Sequence, residues 1–424
     1  MNINVMLKCQ YCDDIIHARV GFSNQEKQVF RFACHKCTSP IMIHLDVDFK
    51  QISYKVSIDG GEILPENDPD CFDQSNQFVD LHLDFPTYYG EYQMGLTPFM
   101  RAFEKLKENL SLYESCLGKL QLAVKEKENI KAIIRFYLAK NDVLFKKNVR
   151  EYLDKKIFPC EKPIDINRAL YQLLEIFFMG LTDPPSNTEF VVSVTKKLSD
   201  LHKANEKEFG LFLYQLIDAD FLKNLQKDCL EIYGRVLDLN EILRPALYYS
   251  FVEDDNKETA LRIANSDFSK HKDLFKDISE IISRQMTLIA GINNIDKRGK
   301  CNLFNSDTKN CPRNLDEFAN RSFGSKSNYI DDKFWSKIAT NVTKNRLRNA
   351  IAHYKIEYDE ASQKIEYYFR LEGLKQQEHE MITFMDFTIT LLDSFRWLHK
   401  FNHIIKMFYV FWFLKYEPRN NDLS

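Results

Sequence analysis

The chain has 424 residues, 58 of them basic and 61 acidic. That length buries at least one large core and points to two or three domains. The near balance of charge excludes a chain that holds nucleic acid by overall charge, so local distribution has to be read instead.

Residues 1–61 read as short strands. Cys9-Gln-Tyr-Cys12 and Cys34-His-Lys-Cys37 bracket an alternating segment, Val29-Phe30-Arg31-Phe32. A second alternating segment, Gln51 to Ile58, ends at Asp59-Gly60-Gly61, a tight-turn signal. Residues 62–96 carry prolines and an acidic run: from Val56 to Met100 there are nine acidic residues and no Lys or Arg. This reads as a solvated linker or loosely packed strap, with a cover over a basic groove as the lesser alternative. At Thr97-Pro98 an N-cap and a first-turn proline open a helical region. Apolar stripes are clearest over Ala169–Met179 and Phe209–Leu222. Breaks are expected at Pro159–Pro163, Asp183-Pro184-Pro185 and Glu253-Asp254-Asp255. The basic stretch Lys125–Lys156 reads as an ordinary amphipathic helix.

Residues 292–330 are polar and predict a long loop. A helix is expected from about Asp331 into Arg348-Asn349-Ala350-Ile351-Ala352-His353. A turn at Asp359–Ser362, a strand at Ile365–Arg370 and a long helix from about Met381 to Leu414 follow. That last helix is striped by Phe384, Phe387, Leu391, Phe395, Leu398, Ile405 and Phe408.

No signal peptide is expected at the N-terminus. The most apolar run, Ile404–Leu414, is interrupted by Lys406 and too short to span a bilayer. The ten cysteines then point to reduced thiols in a cytoplasmic protein without membrane contact. Cys9, Cys12, Cys34 and Cys37, two Cys-x2-Cys pairs 21 residues apart, predict a zinc ribbon. Four thiolates close the coordination shell, so the zinc is expected to be structural. His17, His35 and His44 lie nearby in sequence as substitute ligands.

The Arg-Asn-x3-His stretch joins an arginine, a carboxamide and an imidazole. If it is helical, Asn349 and His353 share a face and Leu347, Ile351 and Tyr354 form the apolar back. Looser spacings from arginine to histidine recur at Arg346–His353 and Arg396–His403 and mean little. The motif, followed by a turn, a strand and a long helix, resembles the HEPN superfamily, most closely the domains of anti-phage and abortive-infection proteins. The resemblance covers about the last third of the chain. It implies a helical domain that pairs with a second copy and cleaves RNA without a metal. Arg348 would bind phosphate, Asn349 would be the polar residue beside it, and His353 would be catalytic. RNA brings its own 2′-OH nucleophile, so a histidine proton carrier and a guanidinium suffice. Arg348 and His353 stand about 140° apart on an ideal helix, which suits a site completed across a dimer axis.

The expected fold is mainly α. It comprises a β zinc ribbon at 1–61, an acidic linker at 62–96, a helical middle or sensor region at 97–265, and a HEPN-like nuclease domain at 266–424. The expected function is a regulated, toxin-like endoribonuclease in phage defence, dimeric or larger, with an RNA substrate and a phage-derived or protein trigger. The alternative is a non-catalytic nucleic-acid- or protein-binding module that uses the HEPN-like part for dimerisation.

Overall fold

A computed structural model describes residues 1–65, 76–252, 262–264, 267–343, 347, 350–351, 356–368 and 379–417. Helices make up 57% of the described residues, and the strands gather in small sheets, one of them N-terminal. The mainly helical class expected from the sequence is therefore present; a HEPN-like bundle is not established by it.

The strands are β1 (Asn2–Cys9), β2 (Ile15–Gly21), β3 (Lys27–Ala33), β4 (Pro40–Asp48), β5 (Ser53–Asp59), β6 (Gly61–Ile63), β7 (Gln77–Leu81) and β8 (Tyr88–Gly90). Helices α1 (Pro98–Leu106), α2 (Leu110–Lys125), α3 (Lys127–Leu138), α4 (Asp142–Val149), α5 (Pro163–Phe178) and α6 (Pro184–Ala204) come next. They are followed by α7 (Glu206–Asp218), α8 (Phe221–Asp238), α9 (Asn240–Tyr249) and α10 (Phe268–Arg298). After α10 come α11 (Leu315–Ala319), α12 (Lys333–Thr343), the strands β9 (Ile356–Asp359), β10 (Lys364–Tyr368) and β11 (His379–Thr383), and α13 (Phe384–Phe411).

The chain forms two compact units, each discontinuous in sequence. The first comprises Met1–Gln121, Leu239–Lys272 and Ala350–Leu392; the second comprises Leu122–Asp238, Asp273–Asn349 and Asp393–Ser424.

In the first unit, β6-β1-β2-β7-β8 form one sheet and β3-β4-β5 another. Period-two alternation turns Val5, Leu7 and Cys9 of β1 and Ile41, Ile43, Leu45 and Val47 of β4 into a shared apolar core. Part of the segment read as an acidic linker is thus strand. β7 pairs parallel with β2, Ile16 opposite Gln77 through Val20 opposite Leu81, and Val79, Leu81 and Leu83 join that core. The acidic count misled because two of its members are buried. Asp80 receives both Nε and Nη2 of Arg19, at 2.9 and 2.6 Å. Burial raises the Asp80 carboxyl above its usual value, and its bonds to Arg19 and Arg101 offset this only in part. Asp84 receives Nη1 of Arg244, from α9, at 2.8 Å. Thr97 caps α1 by accepting from the Met100 N–H, as the sequence predicts. In the third sheet of this unit, β10 pairs with β9 and β11, and Phe268 packs on Tyr358, Phe384 and Phe387.

The second unit is helical among its described residues. The expected breaks at Pro159–Pro163 and Asp183–Pro185 separate α4, α5 and α6. The stripe over Phe209–Leu222 is interrupted where the sequence suggests continuity: Asp220 takes a φ of 50° between α7 and α8. Residues 292–298, expected as loop, continue α10, and the polar stretch after it holds α11 and a 3-10 turn at Phe323–Tyr329. The stripe of α13 is buried along its length, from Phe384 to Phe408. No helix among the described residues is long and apolar enough to cross a membrane.

Candidate metal centre

Cys9 ends β1 and Cys34 follows β3, so each sheet delivers one Cys-x2-Cys loop. The two loops are built alike. The Asp13 N–H donates to the Cys9 carbonyl at 3.0 Å and the Cys9 N–H to the Asp14 carbonyl at 2.9 Å. The Thr38 N–H donates to the Cys34 carbonyl and the Cys34 N–H to the Ser39 carbonyl, both at 2.9 Å. The residue after each second cysteine is left-handed, Asp13 at φ 56° and Thr38 at φ 60°. The expected Asp59-Gly60-Gly61 turn braces the first loop: the Gln10 N–H donates to the Gly60 carbonyl at 3.2 Å, and Cys9 pairs with Gly61. Gly60 sits at φ 82°, and a Cβ there would approach the Pro40 carbonyl.

The four sulfurs lie within 4.8 Å of one another, with Cys9–Cys37 at 3.7 Å and Cys12–Cys34 at 3.6 Å. A tetrahedron of Zn–S bonds has edges of about 3.8 Å, so the donor set is close enough to hold a four-thiolate ion. Cys9 and Cys34 are buried; Cys12 and Cys37 are partly exposed. The Ser39 hydroxyl and N–H draw the Cys37 thiol down to about 6. The Asp14 N–H lowers Cys12, but burial and its three thiol neighbours push it up to about 12. The Cys37 thiolate forms readily while Cys12 and Cys34 are pushed toward the protonated form, and a divalent cation bound among them offsets the repulsion between thiolates.

Two of the nearby histidines have other partners. His44 bonds Asp59 at 2.8 Å, and His35 packs on Tyr89 with ring centroids 4.9 Å apart. The cluster among the described residues is therefore cysteine alone.

Arg348, Asn349 and His353 lie outside the described residues. Their neighbours Leu347, Ala350 and Ile351 are helical and buried, which matches the apolar back expected for Leu347 and Ile351. The spacing decoy Arg396–His403 is structural: Arg396 donates to the Leu181 carbonyl at 3.0 Å, and His403 is buried against Thr195 at 3.1 Å. Sequence reading missed a polar chain inside the second unit that runs through His399 and Asn402, since only apolar periodicity marked that helix. No protein-family model, no curated protein and no solved structure matches the chain.

Proposed function

We propose that the chain is a metal-independent endoribonuclease, with Arg348 binding phosphate, Asn349 orienting it or the ribose, and His353 moving the proton. The observation that carries this reading is the Arg-Asn-x3-His motif flanked by the buried, helical Leu347, Ala350 and Ile351. The downstream order of strands and a long helix, β9 to α13, adds support. Attack by the 2′-OH leaves a 2′,3′-cyclic phosphate and a 5′-OH, and needs no protein nucleophile. Zn2+ in the Cys9–Cys12–Cys34–Cys37 cluster is structural, because four thiolates leave no open position. In this reading the protein works in the cytoplasm as a homodimer or larger assembly, a toxin-like effector of phage defence released by a phage-derived or protein trigger.

The test is digestion of total RNA by purified wild type and by the Arg348→Ala/His353→Ala double variant, with sequencing of new 5′-OH ends. Wild type produces such ends and the folded, metal-loaded double variant does not. Equal cutting by both sinks the reading. The second reading is a non-catalytic nucleic-acid- or protein-binding module that uses the HEPN-like part for dimerisation. It is favoured by the closed thiol cluster, which supplies shape and no chemistry. RNA bound but uncut by wild type is its expected result.

A further inference from the structure

The second unit contains an open cavity of about 1150 Å³. Small-molecule sites occupy roughly 300–1,000 Å³, so the space suffices for one with room for water. Its wall includes Tyr137 and Gln226 together with the aromatic side chains of Tyr409, Trp412 and Phe413. Trp412 to Tyr416 form a π-helical turn, a distortion that recurs at functional sites.

Behind that wall runs an unbroken chain of hydrogen bonds. It starts at Glu175. Burial raises this carboxyl, but its bond to His399 and the charges around it lower it further, below its ordinary value. An ionised carboxylate only accepts, so His399 Nε2 donates to it at 3.2 Å. His399 Nδ1 lies 2.9 Å from the Tyr233 hydroxyl, within hydrogen-bond distance. The Tyr233 oxygen accepts from Asn402 Nδ2, and Asn402 Oδ1 accepts from the Tyr171 hydroxyl, both at 3.1 Å. The Tyr171 oxygen accepts from Gln226 Nε2 at 3.1 Å, and Gln226 Oε1 accepts from the Tyr137 hydroxyl at 3.3 Å. Tyr137's other neighbour, Asn167 Oδ1 at 3.4 Å, is also an acceptor. The Tyr137 proton is therefore committed inward, and its oxygen is a preset acceptor on the cavity wall.

The rim sorts its charges. Lys131 pairs with Asp238, Lys223 with Asp220 and Arg235 with Asp277. Arg135 and Lys140 have no carboxylate partner among the described residues. Asp142 and Glu417 share the rim, so a bare anion gains little there, and selectivity must come from the aromatic wall. A purely apolar occupant would bury the Tyr137 oxygen unpaired, at a cost.

We propose that this cavity is a mononucleotide site: the base lies against the aromatic wall and donates a hydrogen bond to the Tyr137 oxygen, while the phosphate meets Arg135 and Lys140. The proposal uses none of the residues of the Arg348–His353 motif. Calorimetric titration of the full chain with AMP, GMP, CMP and UMP tests it, in wild type and in the Arg348→Ala/His353→Ala variant. Saturable binding of at least one nucleotide is expected in both. Tyr137→Phe keeps the ring and removes the acceptor, so it should weaken binding about fivefold to tenfold. Arg135→Ala with Lys140→Ala should abolish the preference for nucleotide over nucleoside. The proposal is overturned if no mononucleotide binds at millimolar concentration, if binding vanishes in the Arg348→Ala/His353→Ala variant, or if Tyr137→Phe binds as wild type. Binding of dodecanoate without any nucleotide overturns it in favour of a lipid-like ligand.

Discussion

The two units bury polar groups by opposite means. The first fixes formal charges in dedicated pairs: Arg19 with Asp80, both almost fully buried, and Arg244 with Asp84, where Arg244 has no exposed surface. It also gathers four thiols at one point. The second unit strings neutral hydroxyls, carboxamides and an imidazole into one line and brings in a single carboxylate, the half-buried Glu175, at its end. In the first design each buried group has a partner that cannot be replaced. In the second most links join hydroxyls and carboxamides, so one loss strands two weaker groups.

The largest expected effect lies at the thiols. If the cluster holds the zinc its four cysteines fit, Cys12→Ser or exhaustive chelation should remove it and cost the first unit several kcal/mol. Metal analysis and a Co2+-thiolate absorption band report on that unit. All three tryptophans, Trp335, Trp397 and Trp412, belong to the second unit, so their emission follows the second unit separately. Zinc stoichiometry unchanged in Cys12→Ser would remove Cys12 from the ligand set. The core shared by both sheets is larger than residues 1–61 alone suggest, so the apo first unit is expected to be loosened and not fully unfolded.

A smaller effect separates the charge pair from the neutral line. Arg244→Met leaves Asp84 buried without its cation and should cost about 3–5 kcal/mol. Tyr233→Phe removes the middle of the chain, stranding His399 Nδ1 and Asn402 Nδ2, and should cost about 1–3 kcal/mol. Denaturant unfolding measures both. Adding Asp84→Leu to Arg244→Met should recover much of the first loss, as no lone charge then remains. Equal costs for the two single variants would erase the distinction between the units.

That distinction also explains what the sequence reveals. The thiol cluster is legible because its ligands come as two local pairs whose spacing alone closes a tetrahedron. The α13 stripe is legible because period 3.6 needs no knowledge of its partners. Asp80 and Asp84 were misread because their cations stand 61 and 160 positions away in sequence. The polar chain was invisible for the same reason: Tyr171 meets Asn402 across 231 positions, and each residue by itself is an unremarkable helix polar group. The Arg348 motif is local and legible as a pattern, yet its function depends on facing groups that no spacing encodes.

A protonation test compares the units within one titration. A histidine in the unfolded chain titrates near 6.5; in the second unit burial, reinforced by the Lys406 charge, holds His403 down at about 3. Glu175 opposes that shift, His399 adds to it, and the Thr195 hydroxyl contacts Nε2. The native state thus refuses a proton that the unfolded chain takes up below pH 6.5. Its contribution is complete above that pH and is lost as pH falls toward 3, by at most about 1.4 kcal/mol per pH unit. In the first unit burial holds His271 at about 4, so its window is narrower, from 6.5 to 4. Urea unfolding followed by tryptophan emission should therefore show the second unit weakening steadily through this range. His403→Gln should flatten that acid slope and leave the first unit's response in place. An unchanged slope in His403→Gln would assign the acid sensitivity of the second unit to its carboxylates instead.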